Sequence, residues 1–171
     1  FEELGCRVVA FDTSLSGCKS TLEYVQNIDV ISADIFHVPL RDSIFDVVFS
    51  LGVLHHTGNI PRAFESIAQK TKRDGLTHIY VYGRWNRKFI FWNKLISMIP
   101  IKGRRTVVKM LTAMVSSIPG LVTLIPFGRS EHANFDAFSP SINEQSSFED
   151  AKNWFEQGGF TQIERRYCAW G

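Results

Sequence analysis

Three short apolar runs in the first third of the chain each end on a polar residue. Arg7–Phe11 runs into Asp12, the run holding Ile28, Val30 and Ile31 leads to Asp34, and Phe45–Phe49, interrupted by Asp46, breaks at Ser50 and Gly52. Runs of this length read as buried strands of a parallel sheet. Ligands of such sheets sit outside the carboxyl ends of the strands. An ionised carboxylate there only accepts hydrogen bonds, so it selects donors such as the two hydroxyls of a ribose or the exocyclic amine of a purine. Each acid also has a plainer reading as a turn or helix cap; the pair, followed by the loop to Asp46, is the more selective pattern. His55 and His56 come next, and one of them is a candidate general base because histidine titrates near neutral pH. Neighbouring histidines point different ways and no Cys or carboxylate cluster joins them, so no metal site is predicted. Tyr82, Arg84, His132 and Asp136 complete the set of candidate pocket residues.

The chain that must position these groups has 171 residues, enough for one domain with a sizeable core. Its 44 % hydrophobic and 13 % aromatic content argues against disorder, and a net charge of +2 gives no basis for a nucleic-acid partner. Cys6, Cys18 and Cys168 lack disulfide or metal spacing and suit a reducing compartment. No signal peptide is read at the start, and a cytoplasmic location is expected. Phe1–Gly5 reads as the last turn of a helix closed by a glycine, which implies that the sequence is a piece of a longer one.

Gly5–Asp12 is then a strand. Thr13-Ser14 offers an N-cap for a helix over Leu15–Val25, which Gly17 weakens. Strands follow at Ile28–Ala33 and Phe45–Ser50. A helix opens at Pro61, with Ala63, Phe64, Ile67 and Ala68 on its buried face. Arg73-Asp74-Gly75 turns the chain into a strand at Leu76–Tyr82.

From Arg84 to Ser130 the composition changes: nine of the 19 basic residues fall here, with no Asp or Glu and many apolar side chains. Two or three helices are expected, broken at Pro100, Pro119-Gly120 and Pro126, with Val107, Leu111, Met114 and Ile118 on one face. Three readings compete: a cap packed on the domain, the lining of a pocket for a bulky apolar or anionic substrate, and, least favoured, a basic amphipathic contact with a membrane surface. The uncharged run Met110–Gly128 approaches the length of a membrane span, but its prolines, glycine and paired serines argue against spanning. Glu131–Pro140 reads as a polar, aromatic loop. Ser147 caps a helix over Phe148–Gln157, with Asp150 completing a capping box. Gly158-Gly159 ends it, and Phe160–Tyr167 reads as a sixth strand.

The segment Asp34-Ile-Phe-His-Val-Pro-Leu-Arg-Asp-Ser-Ile-Phe-Asp46, continued by Val47–His56, resembles the central motifs of class I S-adenosylmethionine-dependent methyltransferases of type 11, the group that includes the ubiquinone and menaquinone biosynthesis enzymes. The resemblance covers residues 1–82 closely and the last 25 or so loosely. It departs at Lys72-Arg73-Asp74-Gly75, where the family commonly has Lys-Pro-Gly-Gly. It implies a Rossmann-like α/β three-layer sandwich with a mostly parallel sheet, a single domain over 1–171 with a helical insertion (84–130) after the family's fifth strand, and S-adenosylmethionine as cofactor. By the same resemblance Asp12 takes the ribose hydroxyls with Thr13 beside it. Asp34 faces the adenine amine, the Ile35 amide lies near the ring, and Ser50 and Leu51 line the methionine portion. The glycine-rich loop of the family is not among the 171 residues, and the chain alone is expected to bind cofactor weakly or not at all.

The reading is methyl transfer from the cofactor to O, N or C of a small molecule by in-line displacement. A non-catalytic methyltransferase-like partner or regulatory domain is the alternative. A nicotinamide-dependent oxidoreductase is a more distant rival, since a short-chain version needs a Tyr-x-x-x-Lys pair and Tyr80 and Tyr82 are followed at that spacing by Arg84 and Asn86.

Overall fold

A computed structural model describes residues 2–84, 87–118, 120–123, 125–128, 130–138 and 140–166, with nothing described of the side chains of Glu2 and Val122. Cys168, the last residue of the predicted sixth strand at Tyr167, and Pro119 of the predicted helix break lie outside them. The described chain divides into two compact units.

The first unit comprises Phe1–Ser50, Pro61–Ile79 and Trp154–Gln162. Strands β1 (Val8–Asp12) and β2 (Ile28–Ser32) pair in parallel, Val8 opposite Ile28 and Asp12 opposite Ser32. Helix α1 (Leu15–Tyr24) connects them and buries Cys18, whose thiol lies 3.6 Å from the Asp12 and Ile31 carbonyls. The chain before β1 forms a 3-10 turn at Glu2–Leu4, and Gly5, at φ +75°, takes the left-handed conformation expected of a closing glycine.

A second pair is β3 (Phe45–Leu51) and β4 (Thr71–Tyr80). The Phe45 amide donates to the Lys70 carbonyl at one end and the Gly52 amide to Tyr80 at the other, so the two strands run the same way. Among the described residues the parallel pairing expected from the sequence is seen in two pairs, β1-β2 and β3-β4. β4 is not straight: the Thr71 and Thr77 hydroxyls lie 2.7 Å apart, whereas six residues of extended strand would separate them by about 20 Å. The expected turn at Arg73-Asp74-Gly75 is thus folded into β4, and a Cβ on Gly75 would stand 2.9 Å from the Asp46 carbonyl. Helix α2 (Ile60–Ala68) buries the face read from its spacing, Ala63, Phe64, Ile67 and Ala68. Phe64 packs on Phe155, with ring centroids 4.6 Å apart, and on Phe160. Phe160–Arg166 does not form the predicted strand. Gln162 has φ +55°, which interrupts an extended run.

The second unit comprises Leu51–Ile60, Tyr80–Asn153 and the residues from Ile163. Its helices are α3 (Arg87–Ser97), α4 (Ile101–Ser117) and α5 (Glu131–Phe138), followed by the first turns of α6 (Phe148–Gln157). The break at Pro100 falls where the sequence places it. Two expectations fail here. Glu131–Phe138 is a helix rather than a loop, opened by Glu131 in its first turn and by Ser130, whose hydroxyl accepts the Ala133 amide. The buried face of α4 is Arg104, Val108, Thr112 and Val115, one position along from the stripe ending at Met114 and Ile118, both of which are exposed. The polar members of that face are satisfied: Arg104 donates to the Ser97 and Ile99 carbonyls, and Thr112 to Val108.

Around this face the second unit builds a core of Ile96, Val108, Val115, Phe127 and Phe138, with Phe89 and Trp92 against it. Phe127 stacks on Phe138 with ring centroids 4.4 Å apart, and Phe89 stacks on Phe138 at 4.3 Å. Buried Asn134 ties α5 to α4 and the chain at Gly128, donating to the Thr112 hydroxyl and the Gly128 carbonyl and accepting the Gly128 amide. The predicted capping box is present: Ser147 and Asp150 exchange backbone-to-side-chain hydrogen bonds at 2.7 and 3.1 Å. None of the described helices is long and apolar enough to cross a membrane.

Candidate functional site

In the first unit the two acids sit one strand apart at the same end of the β1-β2 pair. The Asp12 carbonyl accepts the Ala33 amide, so Asp34 follows directly from the residue bonded to Asp12. Both carboxylates use the same local device. Asp12 Oδ1 accepts the Ser14 amide at 2.7 Å, and Asp34 Oδ1 accepts the Phe36 amide at 2.9 Å. One oxygen fixes the rotamer through a backbone amide two residues on, and a carboxylate has further lone pairs to offer a ligand. The turn-cap and ligand-binding readings of these acids are therefore compatible. The Phe36 amide holds the Asp34 carboxyl below its usual range, aided by His37, whose Nδ1 lies 3.5 Å from Oδ2.

Gly17 explains itself here. A Cβ at this position would stand 2.8 Å from Asp12 Oδ2 and 2.9 Å from its carboxyl carbon. The glycine that weakens α1 by its propensity is the one that lets the carboxylate lie against the helix. Thr13 is exposed next to Asp12, Ile35 is buried, and Ser50, at the end of β3, is buried. Acceptor-only oxygens on neighbouring strand ends, one seated in a space a side chain would fill, suit the hydroxyls and amine of an adenosine.

The second unit holds Leu51, exposed, and the two histidines in a 3-10 turn at Leu54–His56. His55 is wholly buried and stacks on Tyr82 with ring centroids 3.9 Å apart, and the Tyr82 hydroxyl donates to Asp136 Oδ2 at 2.6 Å. Burial, with the neighbouring His56 adding to it, pushes the His55 pKa down to about 4, so the ring is neutral near pH 7. Burial, and after it the bond to Asp136, raises the Tyr82 phenol above its ordinary value. Neither ring nitrogen of His55 has a hydrogen-bond partner among the described residues.

His56 is set differently. Its Nδ1 lies 2.9 Å from the Ile142 carbonyl, which only accepts, so the proton sits on Nδ1 and the Nε2 lone pair is left open. That Nε2 is also buried and lacks a hydrogen-bond partner among the described residues.

Of the predicted pocket residues, the fold thus gathers His55, His56, Tyr82 and Asp136. His132 is exposed in the first turn of α5, and Arg84 lies 3.9 Å from Asp150 instead. Asn143 and Glu144 escaped the sequence reading. The Glu144 amide donates to the His55 carbonyl, and Asn143 Oδ1 and Glu144 Oε2 are buried without hydrogen-bond partners among the described residues. Nothing local marks them, since they reach the histidines across some ninety residues of chain. Among the described residues no cluster of three or more His, Cys, Asp or Glu could hold a metal ion.

Residues 1–79 match the family model described as Methyltransferase domain. No curated protein matches the chain. Solved structures share its fold. A proposed methyltransferase from Bacillus halodurans superposes with a TM-score of 0.58 at 17% identity, over 93% of this chain and 55% of that one. The YcgJ protein of Bacillus subtilis gives 0.55 at 14% identity, over 89% and 51%. A SAM-dependent methyltransferase from Thermotoga maritima, described as a possible histamine N-methyltransferase, gives 0.51 at 14%, over 94% and 57%. The chain spans about half the length of these structures. Its fold is the Rossmann-like α/β fold of these solved structures, and its first 79 residues are similar to the methyltransferase-domain family.

Proposed function

We propose that the protein transfers a methyl group from S-adenosylmethionine to a small molecule, in keeping with a cytoplasmic enzyme. The observation that carries the reading is the pair of strand-end acids, Asp12 and Asp34, each fixed through one oxygen by its own backbone. In this reading Asp12 binds the ribose hydroxyls beside Thr13, Asp34 binds the adenine amine near the Ile35 amide, and Ser50 and Leu51 border the methionine portion. The cofactor supplies a methyl on a sulfonium, whose departure needs no acid. The protein's own contribution is therefore alignment and the exclusion of water.

A base is needed only when the acceptor atom carries a proton. For that role His56 suits better than His55. Its Nδ1 proton is held on the Ile142 carbonyl and its Nε2 can accept, whereas burial leaves His55 little affinity for a proton. Tyr82 and Asp136, joined at 2.6 Å, orient the acceptor.

Ultraviolet cross-linking of methyl-labelled S-adenosylmethionine, which registers even weak binding, tests the cofactor half. Label is expected within residues 12–51, competed by S-adenosylhomocysteine and lost in Asp12→Ala and Asp34→Ala. Labelling that falls outside residues 12–51, or is unchanged in both variants, refutes the reading and leaves a non-catalytic domain of the same fold.

A further inference from the structure

Helix α3 is apolar on two sides. Phe89, Trp92 and Ile96 face the second unit's core. On another, outward side Phe91 and Leu95, followed by Met98 just past the helix end, recur at i, i+4 and i+7, Phe91 64 % and Met98 77 % exposed. Ile101, which opens α4, continues the ridge at 66 % exposure.

The same surface is basic. Arg87 and Lys94 fall on the outward face of α3 by spacing, Lys102 follows Ile101, and all three are exposed. No Asp or Glu occurs between Arg84 and Ser130. Ordinary solvated helix faces mix both signs of charge and carry few large apolar side chains. Here flexible apolar side chains alternate with long cations on a convex ridge. A folded partner would need acids placed between hydrophobic pockets to match it, while a lipid surface supplies phosphates at every position and acyl chains that conform. With 11 residues, α3 is about half the length of a membrane span, so it lies in the interface rather than across it.

We propose that the α3–α4 corner seats the protein on an anionic membrane surface. Phe91, Leu95, Met98 and Ile101 enter the boundary between headgroups and acyl chains. Arg87, Lys94 and Lys102 keep their stems among them and extend their charges to the lipid phosphates. The ridge lies wholly within the second unit and the inference does not depend on methyl transfer.

Co-sedimentation of the protein with vesicles tests it, comparing pure phosphatidylcholine with phosphatidylcholine mixed with phosphatidylglycerol. The protein is expected to pellet with the mixed vesicles and to stay in solution with the neutral ones. Lys94→Ala should weaken partitioning about fivefold, as loss of one charge near the surface implies. Phe91→Glu combined with Met98→Glu should abolish it while leaving the melting temperature in place, because neither side chain belongs to the core. Equal pelleting with both vesicles, or pelleting undiminished in the double variant, overturns the proposal. So does a protein that pellets with neither and instead forms a dimer lost in the double variant, which would give the ridge to a second copy.

Discussion

The strand-end acids and the histidine turn are two ways of holding a reactive group. Asp12 and Asp34 are exposed and fixed by amides two residues away. His55 and His56 are held by partners far along the chain, Tyr82 in stacking and the 142–144 segment through backbone bonds. The first arrangement keeps a carboxylate available at little cost in stability. The second removes an imidazole from water, and the fold must carry two ring nitrogens that no described residue satisfies. Local fixing thus gives a group ready for a ligand, and distant fixing gives one whose protonation the fold controls.

The largest effect expected from breaking this contrast is at His56. If the acceptor loses a proton, His56→Ala should slow methyl transfer by about a hundredfold or more, with cross-linking of the cofactor unchanged. Equal losses of rate and cofactor labelling would place His56 in binding instead.

Next is pH. His55 has a pKa of about 4 in the folded protein against about 6.5 in the unfolded chain. Between these values the unfolded state binds the extra proton, so this contribution to stability is full above the unfolded value and is lost as pH falls toward 4. The loss amounts to about 3 kcal/mol. Urea unfolding at several pH values should show that slope, and His55→Gln should flatten it.

Asp12→Ala removes acceptors from two ribose hydroxyls and is expected to weaken S-adenosylhomocysteine binding by about 2 kcal/mol, roughly 30-fold. Its thermal stability should move little, the carboxylate being exposed.

Gly17→Ala gives the smallest and most discriminating effect. Alanine favours the helix by about 0.5–1 kcal/mol, yet its Cβ would meet the Asp12 carboxylate at 2.8 Å. Cofactor affinity should therefore fall a few-fold while the melting temperature holds or rises. Affinity and stability falling together would mean that Gly17 matters only to packing.

The same contrast divides what could be read from the sequence. Asp12, Asp34 and the Ser147–Asp150 capping box depend on neighbours within three residues, and the sequence reading located all of them. The buried face of α2 followed from helical spacing because only one apolar stripe exists there. On α4 apolar residues occur at both 107 and 108 and at both 114 and 115. Spacing alone allows two stripes, and packing against Phe127, Phe138 and Asn134 selected the one containing polar Arg104 and Thr112. Phe160–Arg166 had the composition of a strand but no pairing within the described residues to hold it extended.

What the sequence determined by itself was therefore the strand ends and their acids, the helix caps, the apolar periods and the basic, acid-free insertion. These rest on contacts between residues near each other in the chain, which residue type and spacing specify. Only the tertiary structure decided that His55 is neutral while His56 is held through Nδ1 on the Ile142 carbonyl, that Tyr82 meets Asp136, and that Asn143 and Glu144 belong beside the histidines. Protonation and tautomer depend on burial and on distant hydrogen-bond partners, and no local pattern of residues carries that information.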